Sequence, residues 1–467
     1  MPVAAISGEM AYQNLRRSRD SLWPDERVGD KRLSGLVRLA LHPSFGFSHE
    51  DRILTLGSCF ARGLENRLYE LGFDVPMKQV CIPAADRQAV VDPDLLTKFT
   101  IQSIENELRW AAGDRPPEPE TLFLEVSDGR WHDPQLISGG SALPLAEAIE
   151  RRAAIQAAVG QFPQCRIVIV TLGQAEAWFD EESELYLNTA PAAAAVRRWP
   201  GRFQMHVLSH DDILGSLERV HAILRDEGHS DVRMLVTVSP VPLKATFSGG
   251  DVIAANAYSK AVQCAACRSF VERCAGVDYF PSYEIVVMSD RELAYEIDNM
   301  HVAPGMVRHI MNEVLGAYAP EVVTEPVAAE VAGSRRGDAL GGHYDHLVKA
   351  KHLCGIQRYA EAAEVCEDLL ERFTDLSPVD LAAARSVYSA ALRGQARWAE
   401  AAAQLELAAA LDLRGGELFY KLGQCREKLG RFAEAAEAFG QAVALDSARP
   451  EYGAGLERVQ ARARGAA

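Results

Sequence analysis

The sequence predicts an α/β domain with a doubly wound parallel sheet at residues 1–318, a linker at 319–342 and an all-α array of helical hairpins at 343–467. Three observations lead to this organisation. Apolar runs alternate with helical patterns in the first part of the chain, a stretch with prolines and glycines follows, and similar segments then recur at a nearly fixed spacing. A chain of 467 residues is long enough for two or three domains.

Four near-continuous apolar runs in the first domain are interpreted as strands. They are Ile53–Leu56, Ile167–Leu172, Met234–Val238 and Glu284–Val287. Helical patterns lie at 60–71, 94–112, 145–161, 211–225 and 254–273. Strands that are apolar along their whole length are typical of a parallel sheet covered on both faces. The alternation of strands and helices therefore indicates a doubly wound sheet, in which ligands bind beyond the carboxyl ends of the strands.

The second part of the chain begins with the linker, whose prolines and glycines indicate a flexible connector that buries little apolar surface. After it, the pattern Arg-aromatic-Ala-Glu-Ala-Ala starts at Arg358, Arg397 and Arg431. Successive aromatic residues of this pattern are 39 and then 34 residues apart, and 34 is the tetratricopeptide period. The segment therefore resembles tetratricopeptide repeats, whose concave face is expected to recruit a protein partner.

Composition argues against several classes of function. The formal net charge of -16 argues against broad binding to nucleic acid or to an anionic membrane. No run of eighteen apolar residues is present, so no transmembrane segment is predicted. The N-terminus lacks the basic segment and apolar core of a secretory signal. Nine scattered cysteines fit reduced thiols better than a disulfide framework, so a cytoplasmic location is predicted.

The first predicted strand is followed by Gly57, Ser58 and Cys59, where a helical pattern begins. Backbone N–H groups and the helix dipole stabilise an anion at a helix N-terminus. A thiol at Cys59 is therefore expected to have a lowered pKa and more thiolate character. The other interpretation is that Cys59 is a small buried apolar residue, as most free cysteines are. Position alone leaves both interpretations open.

Polar residues also follow the other strands. The second strand is followed by Gly173, Gln174, Glu176 and Trp178, and the third by Ser239. These residues are expected at the same edge of the sheet as Cys59, because the carboxyl ends of parallel strands meet there.

Near the end of the domain, Asp298 lies three residues before His301. In a small loop both side chains can face one pocket, where the carboxylate holds the imidazole tautomer and the other ring nitrogen faces a nucleophile. An isolated Asp-x-x-His pair is more often a surface pair than a catalytic one, so the pattern needs support from elsewhere in the chain.

A family resemblance provides that support. The residues Gly57 to Ala61 read Gly-Ser-Cys-Phe-Ala, which is letter for letter the motif that names the GSCFA domain family. The likeness continues in order through Tyr12–Leu15, Thr171–Gly173 with Glu176 and Trp178, Ser239–Pro242, Asn256 with Tyr258–Lys260, Tyr279–Glu284, and Asp298 with His301. It covers residues from about 10 to 315. The family is similar in turn to SGNH/GDSL hydrolases, which are flavodoxin-like α/β esterases and acyltransferases.

The resemblance implies roles for these residues. The third letter of the GDS pattern is the nucleophile, which makes Cys59 the nucleophile and puts Ser58 in the place of the usual Asp, with Ser58 itself as the alternative. His301 is then the base and Asp298 orients it. The Asn of the GxND block is missing, so the oxyanion is expected to be held by the N–H of Cys59 and a donor near Gly173 or Gln174.

The substrates implied are a small-molecule ester or thioester as acyl donor and a carbohydrate as acceptor. Residues predicted to bind the substrate or the oxyanion are Gly57, Gly173, Gln174, Glu176, Trp178, Ser239, Tyr258 and Ser259. Aromatic side chains such as those of Trp131, Trp178 and Tyr258 can stack on sugar faces, or they can simply pack the core or a pocket wall.

No cofactor and no metal are predicted, since there is neither a P-loop nor a GxGxxG after a strand. Cys264 and Cys267 form a CxxC pair without a second pair at zinc spacing, so they are interpreted as helix packing. His206 and His210 lack the Glu of a zincin motif. Lys260 is interpreted as a surface ion pair rather than a contact for an anionic substrate.

Two alternatives to an acyl-transfer enzyme remain. In the first, the α/β domain is a catalytically inactive scaffold and the helical repeats recruit a protein partner, which the missing oxyanion Asn favours. In the second, Cys59 is a redox-sensing thiol, which requires a resolving cysteine such as Cys81 nearby.

Overall fold

The computed structural model describes residues 3–79, 81–84, 87–90, 96–127, 129–137, 142–296, 298–322, 343–355, 357–374, 376, 378–411, 416–445 and 450–465. Contacts divide the chain into two compact units, Met1–Ala329 and Glu330–Ala467. The predicted linker at 319–342 lies outside the described residues except for 319–322. There, Ala319 is buried and Pro320–Val322 forms a 3₁₀ turn that belongs to the first unit.

The strands all lie in the first unit. In chain order they are β1 Ile53–Gly57, β2 Cys81–Ala84, β3 Arg87–Val90, β4 Leu124–Ser127, β5 Arg130–His132, β6 Ile167–Leu172, β7 Glu176–Asp180, β8 Leu185–Leu187, β9 Phe203–Val207, β10 Arg233–Val238 and β11 Val277–Phe280. The helices of this unit are α1 Gly8–Arg17, α2 Cys59–Glu70, α3 Ile101–Ala111, α4 Pro119–Leu122, α5 Leu145–Val159, α6 Ala193–Arg198, α7 His210–Asp226, α8 Val252–Arg273, α9 Ser282–Met288, α10 Arg291–Ala294 and α11 Pro304–Tyr318.

The central sheet has four parallel strands in the order β1–β6–β10–β11. Strands β1 and β6 are buried at every position, which is the continuous apolar pattern that the sequence shows. One face of the sheet packs on α3, α5, α7 and α8. The opposite face packs on α2, α9 and α11. The predicted parallel sheet with helices on both faces is therefore confirmed.

The fourth predicted strand is wrong. Residues 284–287 lie in helix α9, and the fourth strand is β11, which precedes them. In α9 the buried residues are Ser282, Ile285 and Val286, and this spacing of three and four residues is helical rather than extended. Pro281 separates the two elements and, lacking an N–H, favours the change from strand to helix.

Three small antiparallel sheets are absent from the sequence prediction. They are the hairpin β2–β3, the hairpin β4–β5 and the three-stranded sheet β8–β7–β9. Trp131, one of the aromatic residues considered for stacking on a sugar, lies in β5 and packs beside Trp110 and Leu122. The three-stranded sheet follows β6 directly, so it holds the residues that were expected to form the wall of the site.

The described residues of the second unit form α-helices and the turns between them, as predicted. Its helices are α12 His343–Gly355, α13 Tyr359–Arg372, α14 Pro378–Gly394, α15 Trp398–Ala409, α16 Gly416–Lys428, α17 Phe432–Leu445 and α18 Pro450–Gly465. Neighbours in this order pack on one another. Close approach relies on small residues: a Cβ on Gly394 would lie 2.3 Å from the ring of Tyr359, and one on Gly423 would lie 2.8 Å from the ring of Phe439. Tyr359 of the repeated pattern and Phe439 of α17 are thus packed against glycines of neighbouring helices.

Within the described ranges, none of the helices in either unit combines the length and the apolarity needed to cross a bilayer.

Candidate functional site

The turn after β1 is built around Gly57, which has a φ of 137°. A Cβ at this position would lie 2.2 Å from the carbonyl oxygen of Thr171 at the end of β6. The next N–H, that of Ser58, donates to the same oxygen at 3.2 Å. Only glycine allows the ends of β1 and β6 to approach this closely, and the approach fixes where the following helix starts.

Helix α2 starts directly at this turn, with Ser58 as its N-cap and Cys59 as its first residue. The Ser58 side chain makes no capping hydrogen bond. It is 2% exposed, and its Oγ has no hydrogen-bond partner among the described residues. The Oγ1 of Thr171 is likewise buried without a partner. Of Cys59 the structure describes the backbone alone, and that backbone lies where the N–H groups of a helix N-terminus are free to stabilise a thiolate.

A buried ion pair anchors α2 to β1, and sequence reasoning missed it. Arg62 Nη1 lies 2.6 Å from Glu65 Oε2, and both side chains are at most 4% exposed. The Thr55 hydroxyl donates to the Glu65 carboxylate, and Arg62 Nη2 donates to the Thr55 carbonyl at 3.2 Å. A charged pair three residues apart on an otherwise apolar helix face was the available signal.

A short segment at residues 97–99, called the strap below, crosses the ends of β1 and β6. The N–H of Lys98 donates to the Gly57 carbonyl at 2.7 Å. The Phe99 carbonyl accepts from the N–H of Gln174 at 2.9 Å. Asn188 holds the strap from the other side, because its Oδ1 accepts from the N–H of Phe99 at 2.9 Å and its Nδ2 donates to the Thr97 carbonyl at 2.7 Å. The strap therefore fixes both strand ends.

Below the strap lies a network of four buried charges. Lys98 Nζ is paired with the Glu107 carboxylate, and Arg152 lies 2.6 Å from Glu107 and 2.5 Å from Asp133. All four side chains are at most 5% exposed. Burial alone would raise the pKa of Glu107, but the positive charges of Arg152 and Lys98 outweigh it and hold the pKa below its usual value. The carboxylate therefore stays ionised, and the network is neutral as a whole.

Replacing Asn188 by alanine is expected to lower the free energy of unfolding by roughly 2 to 4 kcal/mol, because one buried and one half-buried backbone group of the strap lose their partner. Urea unfolding of the variant measures this loss. Asn256 is the matched control, since its side chain accepts one hydrogen bond, from the N–H of Leu243, at a half-buried position. Equal losses for the Asn188→Ala and Asn256→Ala variants would contradict the role of Asn188 in holding the strap.

The residues after β6 are tightly packed. A Cβ on Gly173 would lie 2.6 Å from the Phe99 carbonyl oxygen. Because the N–H of Gln174 donates to that oxygen, it is not available to an oxyanion. The Gln174 side chain donates to the Glu176 carbonyl at 3.1 Å. The side-chain amide of Gln174 has a second N–H, which can still serve as a donor.

Lys260 is not on the surface, so its interpretation as a surface ion pair is wrong. The side chain is fully buried, and its Nζ donates to the Gly173 carbonyl at 2.6 Å. The residue lies on the face of α8 that packs on the sheet, where a long side chain can reach the end of β6. Its positive end therefore lies at the strand end that borders the candidate site.

Three residues predicted to bind substrate line one cavity of about 180 Å³: Glu176, Tyr258 and Ser259. Their polar groups are already bonded within the protein. Glu176 accepts from Thr246 Oγ1 and from the N–H of Phe247, Ser259 Oγ accepts from the N–H of Ala175, and the Tyr258 hydroxyl donates to the Leu208 carbonyl. The cavity walls are otherwise formed by Ala175, Val207, Ser248 and Ala255.

Two other predicted substrate residues have structural contacts. Trp178 packs edge to face on Phe247, with ring centroids 5.2 Å apart. Ser239 is buried, and its Oγ accepts from the N–H of Val241 at 3.3 Å. Neither residue lines the cavity, and both shape the loops that follow β6 and β10.

Asp298 and His301 form a hydrogen-bonded pair, as the Asp-x-x-His pattern suggests. Nδ1 of His301 lies 2.5 Å from Oδ2 of Asp298, and the other carboxylate oxygen accepts from the N–H groups of Met300 and His301. Partial burial would raise the pKa of Asp298, but these hydrogen bonds outweigh it and lower the pKa. The His301 side chain is 54% exposed. With Nδ1 engaged, Nε2 is the ring nitrogen that can accept a proton.

The loop that carries this pair is anchored at the carboxyl edge of the sheet. Tyr295 and Val302 pair in a β-bridge across its base, and the Tyr295 hydroxyl donates to the carbonyl of Pro240, just after β10. Val302 shares a buried apolar cluster with Phe60 at the start of α2. The Asp298–His301 pair is thus brought to the edge of the sheet where the Gly57 turn lies.

The family model described as "GSCFA family" matches residues 52–314, which is more than half of the chain. This protein belongs to the GSCFA family. The matched range contains β1, the strap, and the Asp298–His301 loop, so the elements described above are those of the GSCFA domain. No curated protein matches the chain.

Similar solved structures are tetratricopeptide proteins. MamA from Desulfovibrio magneticus RS-1, residues 41 to its end, is 20% identical over 26% of this chain and 66% of its own, with a TM-score of 0.24. The Sgt2 TPR domain from Aspergillus fumigatus is 19% identical over 29% of this chain and 87% of its own, with a TM-score of 0.24. PcrH from Pseudomonas aeruginosa is 17% identical over 27% of this chain and 92% of its own, with a TM-score of 0.22.

The loop of the GSCFA domain also contains three potential metal ligands. Ligand atoms of Glu296, Asp298 and His301 lie within 4.8 Å of one another. Carboxylate oxygen and imidazole nitrogen suit several divalent cations. A cation bound by Nδ1 of His301 would displace the hydrogen bond to Asp298, so metal binding and the hydrogen-bonded pair are competing uses of this loop.

The two cysteines of the CxxC pair lie in α8. Both are free thiols in α8, and Cys267 is fully buried, as expected for helix packing. Cys264 Sγ lies 3.6 Å from the Tyr279 hydroxyl, and burial raises the pKa of its thiol to about 11. These thiols are therefore poor nucleophiles at neutral pH.

Proposed function

We propose that the GSCFA domain is an acyl-ester hydrolase or acyltransferase in which Cys59 is the nucleophile. The observation that carries this proposal is the Asp298–His301 pair, because its carboxylate is bonded to Nδ1 and leaves Nε2 to exchange a proton. The pair belongs to the sheet edge at which β1 ends and α2 begins. A nucleophile at the helix N-terminus and a base in a neighbouring loop are the two parts that covalent acyl transfer needs.

The strand order supports the comparison with SGNH-like enzymes. Beyond β1, the chain at Asp74 forms a parallel bridge with Arg52. Counting this bridge as a rudimentary second strand, the order along the sheet is 2-1-3-4-5. That is the order of flavodoxin-like doubly wound sheets, whose ligands bind outside the carboxyl ends of the strands.

In the proposed reaction, Nε2 of His301 removes the proton from Cys59 Sγ, and the thiolate attacks the carbonyl carbon of an ester or thioester. The main-chain N–H of Cys59, at the N-terminus of α2, donates to the oxyanion. Collapse of the tetrahedral intermediate expels the alcohol or thiol, which takes the proton from His301. Water or a hydroxyl of a carbohydrate acceptor then attacks the Cys59 thioester, with His301 again accepting and returning one proton.

Ser58 is the weaker candidate for the nucleophile. Its Oγ is buried and has no hydrogen-bond partner, so it is not bonded to His301. A serine nucleophile depends on a hydrogen bond to its base, whereas a cysteine has appreciable thiolate of its own. A reactive thiol also fits the reducing cytoplasm predicted from the scattered cysteines.

The second candidate function is an inactive scaffold that recruits a protein partner through its repeats. One observation favours it: the N–H of Gln174, in the place of the family's oxyanion block, is bonded to the Phe99 carbonyl. The redox-sensor alternative depends on whether the thiols of Cys59 and Cys81 are close together, and the structure does not describe these two side chains.

The test is the rate at which iodoacetamide labels Cys59 as a function of pH, with intact-mass readout. We expect Cys59 to be labelled with an apparent pKa well below the ordinary thiol value of about 8.5. We expect this selective labelling to be lost in the His301→Ala variant. Because hydrogen bonds lower the pKa of Asp298, its carboxylate stays ionised through the neutral range and does not contribute to the labelling profile.

The Ser58→Ala variant is the matched control and should label like the parent protein. Cys59 labelling that is no faster than that of the buried cysteines, and that is indifferent to His301, would favour the scaffold function.

A further inference from the structure

We propose that the helical-repeat unit carries a binding pocket for an acidic peptide segment, lined by residues of α14, α15, α16 and α18. The pocket has a volume of about 390 Å³. Its charged or aromatic lining residues are Arg393, Trp398, Glu427, Lys428, Arg458 and Arg462. This set is called the basic pocket below. Binding of an acidic peptide by the repeats does not depend on acyl transfer at Cys59.

Charge is the first observation. Four cationic side chains and one carboxylate line the basic pocket, which gives it a formal charge of +3 in a chain of -16. Elsewhere in the repeats, arginines are paired locally, as in Arg358–Glu361 and Arg397–Glu400. Among the described residues, Arg393 and Lys428 form no ion pair. A local excess of cations over carboxylates favours an anionic ligand.

The geometry of Glu427 shows how the pocket binds a carboxylate. Arg458 donates to it side-on, with Nε 2.9 Å from Oε1 and Nη2 2.8 Å from Oε2. Nη1 of Arg462 lies 3.3 Å from Oε1. This arrangement fixes the plane of the Arg458 guanidinium and leaves its Nη1 facing away from Glu427. An arginine held in one orientation loses less entropy when a second carboxylate binds.

An aromatic wall accompanies these charges. The ring of Trp398, at the start of α15, lies 5.8 Å from the ammonium of Lys428. The indole face provides apolar surface for the aliphatic part of a bound chain, and it also orients the lysine through a cation–π contact. A pocket with a charged side and an apolar side suits a peptide better than it suits a fully hydrated small anion.

Two helix ends place partial negative charge beside the pocket. Arg393 and Lys428 lie in the last turns of α14 and α16, so carbonyl ends of helix dipoles point towards the pocket. Compact dianions prefer the opposite, N-terminal ends of helices. The dipoles favour cations at these two positions, and Glu427 pairs with Arg458, about two turns before the end of α18, so two helix ends and one carboxylate face four cations. Carboxylates spaced along an extended chain can meet cations on successive helices without concentrating charge at one point.

Fluorescence anisotropy of the full-length protein tests the inference, with a fluorescein-labelled synthetic peptide of glutamate and leucine residues as the probe. The matched peptide has glutamine in place of glutamate. We expect the acidic peptide to bind at least about tenfold more tightly than the amide peptide, and we expect added salt to weaken its binding. The Arg393→Ala/Lys428→Ala variant should lose that preference.

The control variant is Arg397→Ala, which removes a repeat arginine paired with Glu400 outside the basic pocket. It should bind the acidic peptide like the parent protein. Equal binding of both peptides, or no change in the Arg393→Ala/Lys428→Ala variant, would overturn the inference. Displacement of the acidic peptide by inorganic phosphate at equal concentration would also overturn it, in favour of a compact-anion site.

Discussion

Replacing Glu107 by alanine is expected to lower the free energy of unfolding of the first unit by about 3–5 kcal/mol, because it leaves buried charges unpaired. The Glu107 carboxylate is fully buried between Lys98 and Arg152. Removing it places two positive charges opposite the single carboxylate of Asp133. At their present burial these side chains are little screened by solvent, so the fold must open, bear the uncompensated charge, or let Lys98 lose its proton.

Glu105 provides a matched control on the same helix. Its carboxylate pairs with Arg219, whose side chain is 60% exposed. Since solvent can replace this partner, Glu105→Ala should cost no more than about 1 kcal/mol. If Glu107→Ala and Glu105→Ala lowered the free energy of unfolding by similar amounts, charge pairing would not be what stabilises the buried network.

Tryptophan fluorescence in urea can report the first unit alone. The chain has six tryptophans, and Trp398 is the only one beyond residue 330. In a Trp398→Phe background, all the remaining fluorescence comes from the first unit, one of whose tryptophans, Trp110, lies 5.6 Å from the guanidinium of Arg152. The transition then measures the unit that contains Glu107 without interference from the repeats.

The buried charge network could not be predicted from the sequence. Lys98, Glu107, Asp133 and Arg152 are spread over 55 residues and look individually like surface residues. Their burial depends on tertiary contacts that bring α3, α5 and the strap together. The same is true of Asn188, which carries no local motif yet holds both sides of the strap.

The central sheet was largely predictable because its strands are apolar on both faces. Strands β1, β6 and β10 lie within one residue of the predicted runs. Strand β11 was missed because Asp278 interrupts it, and this residue is tied instead to the N–H and hydroxyl of Ser44. The short strands β7, β8 and β9 have partly exposed faces, so their sequences lack the continuous apolar pattern.

At the candidate site, the sequence motifs located the turn and the loop but not the contacts between them. The Asp298–His301 hydrogen bond follows from a spacing of three residues, which a local pattern can reveal. The engagement of the Gln174 N–H by the strap joins residues far apart in the chain. The assignment of Cys59 as nucleophile stays a prediction, to be decided by its labelling.

Replacing Gly57 by alanine should be the most damaging single change at the site. The new Cβ would lie 2.2 Å from the carbonyl oxygen of Thr171 and 2.8 Å from its nitrogen, and the φ of 137° is itself unfavourable for an L-residue. Because neither strand end can move without breaking the sheet, we expect a loss of more than about 3 kcal/mol in the free energy of unfolding. Urea unfolding in the Trp398→Phe background measures it.

Gly72 is a control position that distinguishes the effect of backbone strain from the effect of steric overlap. It has a φ of 87°, but a Cβ there would meet nothing within 4 Å. Gly72→Ala should therefore cost only about 1–2 kcal/mol, which is the penalty of the left-handed conformation. If the two variants lost the same stability, the close approach of β1 and β6 would not be the reason for glycine at position 57. If Gly57→Ala loses more free energy of unfolding than Gly72→Ala, the contact between the two strand ends stabilises this edge of the sheet. If the folded fraction of Gly57→Ala is also labelled slowly at Cys59, the same contact positions the nucleophile.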